Sequence, residues 1–393
     1  MRVLPNETAA AGEESAHRTS PERARPFFPA TCHPVFSRRQ FLVGAGTVLA
    51  AGRLGRRDAL AGQAPDDGAA IIRRYAVTPE DPWAVAHGLR GIGRDFTING
   101  GRRAIDYLLE DVLVTLPANG KGALGFPIEV EAHPNMFLKT LLEAGVPLDH
   151  AFTHEGRRRT LRDVVDGARG LFRPTLVSSV PNALPWSLIA LTRPTPPLRQ
   201  QWTNAWGETV ALDLVVERAL RLLEQASGPL VEAMRAGRPE TAQAPVHGFT
   251  CGGTHMLYAL LSAVHAGYTG KDRRERVQQQ VDLLVWRLSA DLDFIERFYG
   301  ARAGTAGASW YALDAKLKLL GHGAECLAFA TLHDVVGLTP SQRERRQAAV
   351  ATLRSMLRDL ETRDLGEAQA LDRELYRQLI GDVCHARHGL TLA

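Results

Sequence analysis

The 393-residue chain is 45% hydrophobic and 23% charged, which excludes a wholly disordered, collagen-like or disulfide-scaffold protein. Its net charge of +4 sits in residues 1–61, which hold nine arginines, no lysine and five acids, while the remainder is balanced. A neutral body lacks the clustered cations that phosphate backbones reward, so nucleic acid is not an expected partner.

The first readable element is an address. Ser37-Arg38-Arg39-Gln40-Phe41-Leu42 leads into a Gly- and Ala-rich apolar run, Phe41 to Ala51, and then Ala59-Leu60-Ala61. The run is shorter than the roughly 20 apolar residues that span a bilayer, and it fits a signal h-region before an A-x-A cleavage site. This segment resembles a twin-arginine export signal. The resemblance implies passage through the twin-arginine translocation (Tat) machinery in a folded state and a periplasmic or extracellular mature protein. Residues 1–61 are thus read as a polar extension plus signal, 62–77 as a linker, and 78–393 as a single helical domain with no integral membrane segment. Export removes Cys32 and leaves Cys251, Cys326 and Cys384, an odd number, so at least one thiol is unpaired within the chain or bound to something.

From Thr78 the pattern is helical. Thr78-Pro79-Glu80-Asp81 reads as a capped start, followed by Trp83, Ala86, Leu89 and Ile92 at helical spacing. A second helix is expected around Ile105 to Val112, short strands or a structured loop over 116–132, and a helix from Pro134 to Ala144. Thr160 and Asp163 have the spacing of a capping box. Prolines confine residues 174–199 to one short helix around Trp186 to Leu191. Thr209 to Ser227 is amphipathic, and further helices are predicted over 248–266, 272–299, 309–335, 340–361 and 367–387. Short connectors between long helices make five or six antiparallel hairpins. In the late pairs a small, apolar helix alternates with a more charged one, as if inner helices were backed by outer ones. The expected fold is therefore all-α, a closed α/α toroid in preference to an open helical superhelix.

His247-Gly248-Phe249-Thr250-Cys251 and His322-Gly323-Ala324-Glu325-Cys326 share the spacing His-Gly-x-x-Cys. His and Cys four apart on a helix face the same way, and thiolate and imidazole donors are what zinc takes. His247, Cys251, His322 and Cys326 are thus the candidate metal ligands. The alternatives are buried packing, or a Cys251–Cys326 disulfide. His255 extends the first set, and Asp382, Cys384, His385 and His388 form a third cluster. His87-Gly88 repeats the His-Gly pair. Around residues 87, 247–255 and 321–326 the chain resembles α/α-toroid proteins of the lanthionine-synthetase C-like and six-hairpin glycosidase groups. Cys251-Gly252-Gly253 is near the Cys-Gly element of the former, and Gly321-His322-Gly323 is near its Cys-His-Gly element. In that group such elements surround a zinc.

Glu325, beside His322 and Cys326, is the best-placed carboxyl for general acid or base work, with His322 and His247 as further candidate catalytic residues. Trp202 and Trp206, four apart, offer a stacking surface for a sugar or other substrate, and His87 a further contact. The absence of a Walker loop, a dinucleotide fingerprint, a haem C-x-x-C-H and a G-x-S-x-G elbow disfavours nucleotide, haem and serine-hydrolase chemistry. The expectation is an exported hydrolase or lyase acting on an envelope or extracellular glycan or peptide-like polymer. The rival is a non-catalytic binding or scaffold protein using the same concave surface.

Overall fold

The computed structural model describes residues 67–177, 181–238 and 244–392. The export-signal segment and Cys32 lie outside these residues.

The fold is mainly α. In chain order the helices are α1 (Ala69–Tyr75), α2 (Pro82–Ile92), α3 (Ala104–Tyr107), α4 (Ile128–Glu131), α5 (Met136–Glu143), α6 (Leu161–Leu171), α7 (Pro174–Val177), α8 (Leu184–Thr192), α9 (Leu212–Arg235), α10 (Thr254–His265), α11 (Arg273–Gly300), α12 (Ala308–Leu332), α13 (Pro340–Glu361), α14 (Leu365–Leu371) and α15 (Arg373–Leu392). Three antiparallel two-stranded hairpins interrupt them: β1 (Val114–Ala118) with β2 (Lys121–Gly125), β3 (Ala151–His154) with β4 (Arg157–Thr160), and β5 (Gln201–Thr203) with β6 (Thr209–Ala211).

Helix α2 packs on α5, α5 on α8, α8 on α10, α10 on α12, α12 on α15, and α15 returns to α2. The other long helices lie against this circuit, with α9, α11 and α13 spanning successive members of it. Burial follows the same division. Almost every residue of α10 and of α12 up to Ala330 is buried or nearly so, whereas α13 buries only Leu353, Leu357 and Leu360. The apolar-then-charged alternation in the sequence is this difference in burial.

Several boundaries differ from the sequence expectation. Residues 69–75, expected as linker, form α1, because Ala69, Ile71 and Ile72 have an apolar surface to bury against α2 and α15. The first domain helix begins at Pro82, because Asp81 rather than Thr78 caps it: its side chain accepts from the Ala84 amide at 3.1 Å. Thr209 to Ala211 are strand, and α9 runs on through Pro229 to Arg235. The predicted 367–387 helix is broken at Asp372, whose extended φ of −160° separates α14 from α15. The Thr160/Asp163 capping box and the 340–361 helix form as expected.

Helices α12 and α15 make the most intimate contact in the molecule, and glycine permits it. A Cβ at Gly389 would lie 2.6 Å from the Glu325 amide nitrogen and 2.9 Å from its Cα, and one at Gly321 would lie 3.3 Å from the Ala386 backbone. Gly389→Ala therefore forces two backbones apart and is expected to cost about 1–3 kcal/mol. Gly170→Ala, where a Cβ meets nothing within 4 Å, serves as the control. Thermal melts should show a clear fall in Tm for the first and none for the second.

Candidate functional site

The circuit of helices converges on a group of imidazoles. The ring centroids of His255 (α10) and His322 (α12) are 4.6 Å apart, those of His322 and His385 (α15) 4.0 Å, and those of His255 and His385 5.1 Å. His87 (α2) meets His385 edge-on at 5.4 Å and stacks on Trp83 at 3.7 Å. On the other side, Trp186 (α8) lies 4.8 Å from His255 and is stacked by His133 at 3.8 Å. Five of the six circuit helices thus supply a ring to one aromatic cluster, and α5 supplies charges beneath it.

Cys251 reaches the cluster by an unusual turn. Cys251, Gly252 and Gly253 all have positive φ (50°, 63° and 84°), and Cys251 is half-buried. The two glycines adopt this conformation freely, whereas Cys251 does so at a cost, as residues at functional sites often do. Its carbonyl accepts from the Thr254 hydroxyl at 2.8 Å, and the Gly252 carbonyl accepts from buried Arg287 at 2.7 Å, so the turn is held from both ends. Cys251, His255 and His322 each present a ligand atom within 4.8 Å of the others, and so do His322, Glu325 and His385.

Behind the rings stand carboxylates. His322 Nε2 donates to Asp382 Oδ1 at 3.2 Å, and His385 Nδ1 donates to Glu325 Oε2 at 3.0 Å. Glu325 also accepts from His388 Nδ1 at 2.7 Å and from Arg90 Nε at 2.7 Å. Arg90 pairs in turn with Glu143, which binds Lys139 at 3.0 Å. On the far side, Asp314 and Lys318 bond at 3.0 Å beside Asp382.

These surroundings set the protonation states. Burial, then the neighbouring His322, hold His255 and His385 well below the usual imidazole range, and burial takes His87 to about 3. Burial acts against charge on His322 too, but the Cys251 thiol and Asp382 override it and raise His322 to about 10. Burial would protonate Glu325, yet Arg90, His385 and His388 keep it well below the carboxylate range. Two of the three central imidazoles are therefore neutral, with lone pairs available to a cation.

The sequence-derived candidates divide accordingly. Cys251, His322 and His87 belong to the cluster. His247 does not: its Nε2 faces Asp291 at 3.6 Å, on the side of Arg287. Cys326 is buried with its thiol donating to the Thr254 carbonyl at 3.3 Å, and burial pushes that thiol well up, so it is no ready ligand. Cys251, Cys326 and Cys384 are all free, and the Cys251–Cys326 disulfide is not formed. Glu325 is held ionised with both oxygens engaged, which suits it to orienting imidazoles and not to general acid work. Trp202 and Trp206 sit on the β5–β6 hairpin, where guanidinium groups of Arg169 and Arg173 lie over their rings at 4.9 Å each. The Trp202 N–H donates to the Arg169 carbonyl at 2.9 Å. A guanidinium thus covers one face of each ring.

His255 and His385 are central but were only noted in passing from the sequence, and Arg90, Lys139 and Glu143 were missed. The signal was there in two forms. His322-x-x-Glu325 and Asp382-x-x-His385-x-x-His388 have matched three-residue spacing, and Lys139 is the one charge in the run Met136 to Leu142, apolar but for it and Thr140.

No protein-family profile, characterised protein or solved structure matches this chain.

Two tests follow from the charges. Arg90→Leu leaves Glu325 and Glu143 buried without their main counter-ion, and denaturant titration should show a loss of about 3–5 kcal/mol. Glu131, the last residue of α4, is buried and accepts from the Asn135 and Phe137 amides ahead of and within the first turn of α5, and burial outweighs those bonds to raise it to about 8. The folded chain then keeps a proton that the unfolded chain gives up near pH 4.5, so this group weakens the fold progressively from about pH 4.5 to 8. Glu131→Gln removes the effect. Its Tm advantage over the wild type should grow across that window and level off above pH 8; a pH-independent difference would contradict the assignment.

Proposed function

We propose that this chain is an exported, metal-dependent hydrolase or lyase whose reaction centre is the imidazole–thiol cluster on the axis of an α/α toroid. The toroid reading rests on the circuit α2–α5–α8–α10–α12–α15–α2. Export rests on the resemblance of Ser37 to Leu42 to a twin-arginine signal. The substrate class that fits this location is an envelope or extracellular glycan or peptide-like polymer.

The observation that carries the metal reading is the convergence of Cys251 and His255, at the start of α10, with His322 of α12, their ligand atoms lying within 4.8 Å of one another. One thiolate and two imidazoles form a donor set suited to zinc, and three protein donors leave a fourth position for water or substrate. A zinc held there supplies Lewis acidity and lowers the pKa of bound water. His322 is held protonated in its absence, and metal binding at such a site releases the protons its ligands carry. His385 lies 4.0 Å ring to ring from His322 with its Nδ1 fixed on Glu325, where it would be on hand to orient a bound water or substrate. Trp83, His87, Trp186 and His133 wall the cluster with apolar ring faces, which limits water around the reacting group.

The test is metal content per chain and free thiols on the same exported, chelator-free sample. The expected result is near one zinc per chain for the wild type, falling to background in Cys251→Ser and His255→Ala and unchanged in His247→Ala. A wild type without metal and with three reactive thiols would sink the metal reading and leave a binding scaffold as the better account.

A further inference from the structure

The carboxylates behind the cluster have an arrangement that the metal reading alone does not require. Helix α12 carries His322 and Glu325, and α15 carries Asp382 and His385, each pair three residues apart. Across the crossing they exchange partners: the imidazole on α12 donates to the carboxylate on α15, and the imidazole on α15 donates to the carboxylate on α12. All four side chains are at least nine-tenths buried. Each bond fixes one ring nitrogen as the donor, which leaves the other nitrogen of the same ring as the one a cation would take, in the case of His322 with loss of its second proton. For His322, Nε2 is committed to Asp382, so Nδ1 is the nitrogen left for the cation shared with Cys251 and His255.

We infer that Asp382 is a positioning residue for the metal, acting through His322, and that Glu325 plays the same part for His385 at the adjacent fourth position. This rests on the metal reading above. A carboxylate behind a ligating imidazole fixes its tautomer and ring orientation and makes it a better donor, and removing such a partner typically weakens metal binding about 10–100-fold. Asp291 provides an internal comparison. It is equally buried, pairs with Arg287, and faces the imidazole of His247, which is not part of the donor set.

The experiment is competition titration of zinc against a chromophoric chelator with the full mature chain. Asp382→Asn, which keeps the shape and loses the charge, should bind zinc about 10–100-fold more weakly than the wild type. Asp291→Asn should stay within about twofold, with Tm reported for both. If Asp382→Asn does not fold, the wild type loaded with cobalt(II) gives the second readout. The His322 ring N–H should appear as a paramagnetically shifted proton resonance that exchanges slowly with solvent, because Asp382 holds it. Zinc affinity in Asp382→Asn equal to that of the wild type, or a His322 N–H that exchanges at once, would overturn the inference while leaving the metal reading intact. A wild type that takes up neither zinc nor cobalt would overturn both.

Discussion

Where α12 crosses α15, Gly321 and Gly389 let the two backbones touch, and at that depth an ionisable side chain must find its partner within the protein. The helices meet this demand by trading a carboxylate for an imidazole in each direction. Arg90, Lys139 and Glu143 then extend the pairing to α2 and α5, while Asp314 and Lys318 extend it along α12 toward Gln378. Buried ion pairs of this kind seldom stabilise a fold relative to a well-packed apolar core. Here they lie under a cluster of imidazoles, His322 charged and His255 and His385 neutral, where they fix ring orientations that packing alone would leave free.

The same crossing explains which parts of the molecule could be read from the sequence. Helical periodicity, capping residues and the alternation of apolar with charged helices are local properties, and they located most helices and one of the three hairpin regions, β1–β2. The boundaries that moved were set by contacts distant in sequence. Residues 69–75 become helical because Ile71 and Ile72 find α2 and α15, and neither surface is visible from the linker-like composition around them. Asp372 ends α14 by an extended backbone that the helical pattern over 367–387 does not announce.

The site was legible as a set of residue types and only partly as a set of partners. His-Gly-x-x-Cys pointed to Cys251 and His322, but the repeated spacing also gave weight to His247 and Cys326, which occupy the same motif positions and have different neighbours. The first motif is not on an α-helix but runs through two short 3-10 turns. Its Cys sits in a left-handed turn ahead of α10, so the rule that residues four apart share a face does not apply to it. In the second motif the rule does apply, but Cys326 turns toward the Thr254 carbonyl. What decides membership is the meeting of α10, α12 and α15, which lie about 60 residues apart along the chain and have no sequence signature for one another.

The closure between α15 and α2 has a consequence for how the protein is made. Helix α2 is among the first elements to leave the ribosome and α15 is the last one described, so during synthesis His87, Cys251, His255 and His322 are all exposed before Asp382, His385 and His388 exist. Domains emerging at a few residues per second spend seconds in such incomplete states. Over that interval the thiol and imidazoles are a loose, accessible set with none of the carboxylates that later orient them. Completion of the cluster thus waits for the docking of a single helix. A pathway that moves only folded proteins would carry the finished centre across a membrane, whereas one that threads unfolded chains would have to rebuild it on the far side.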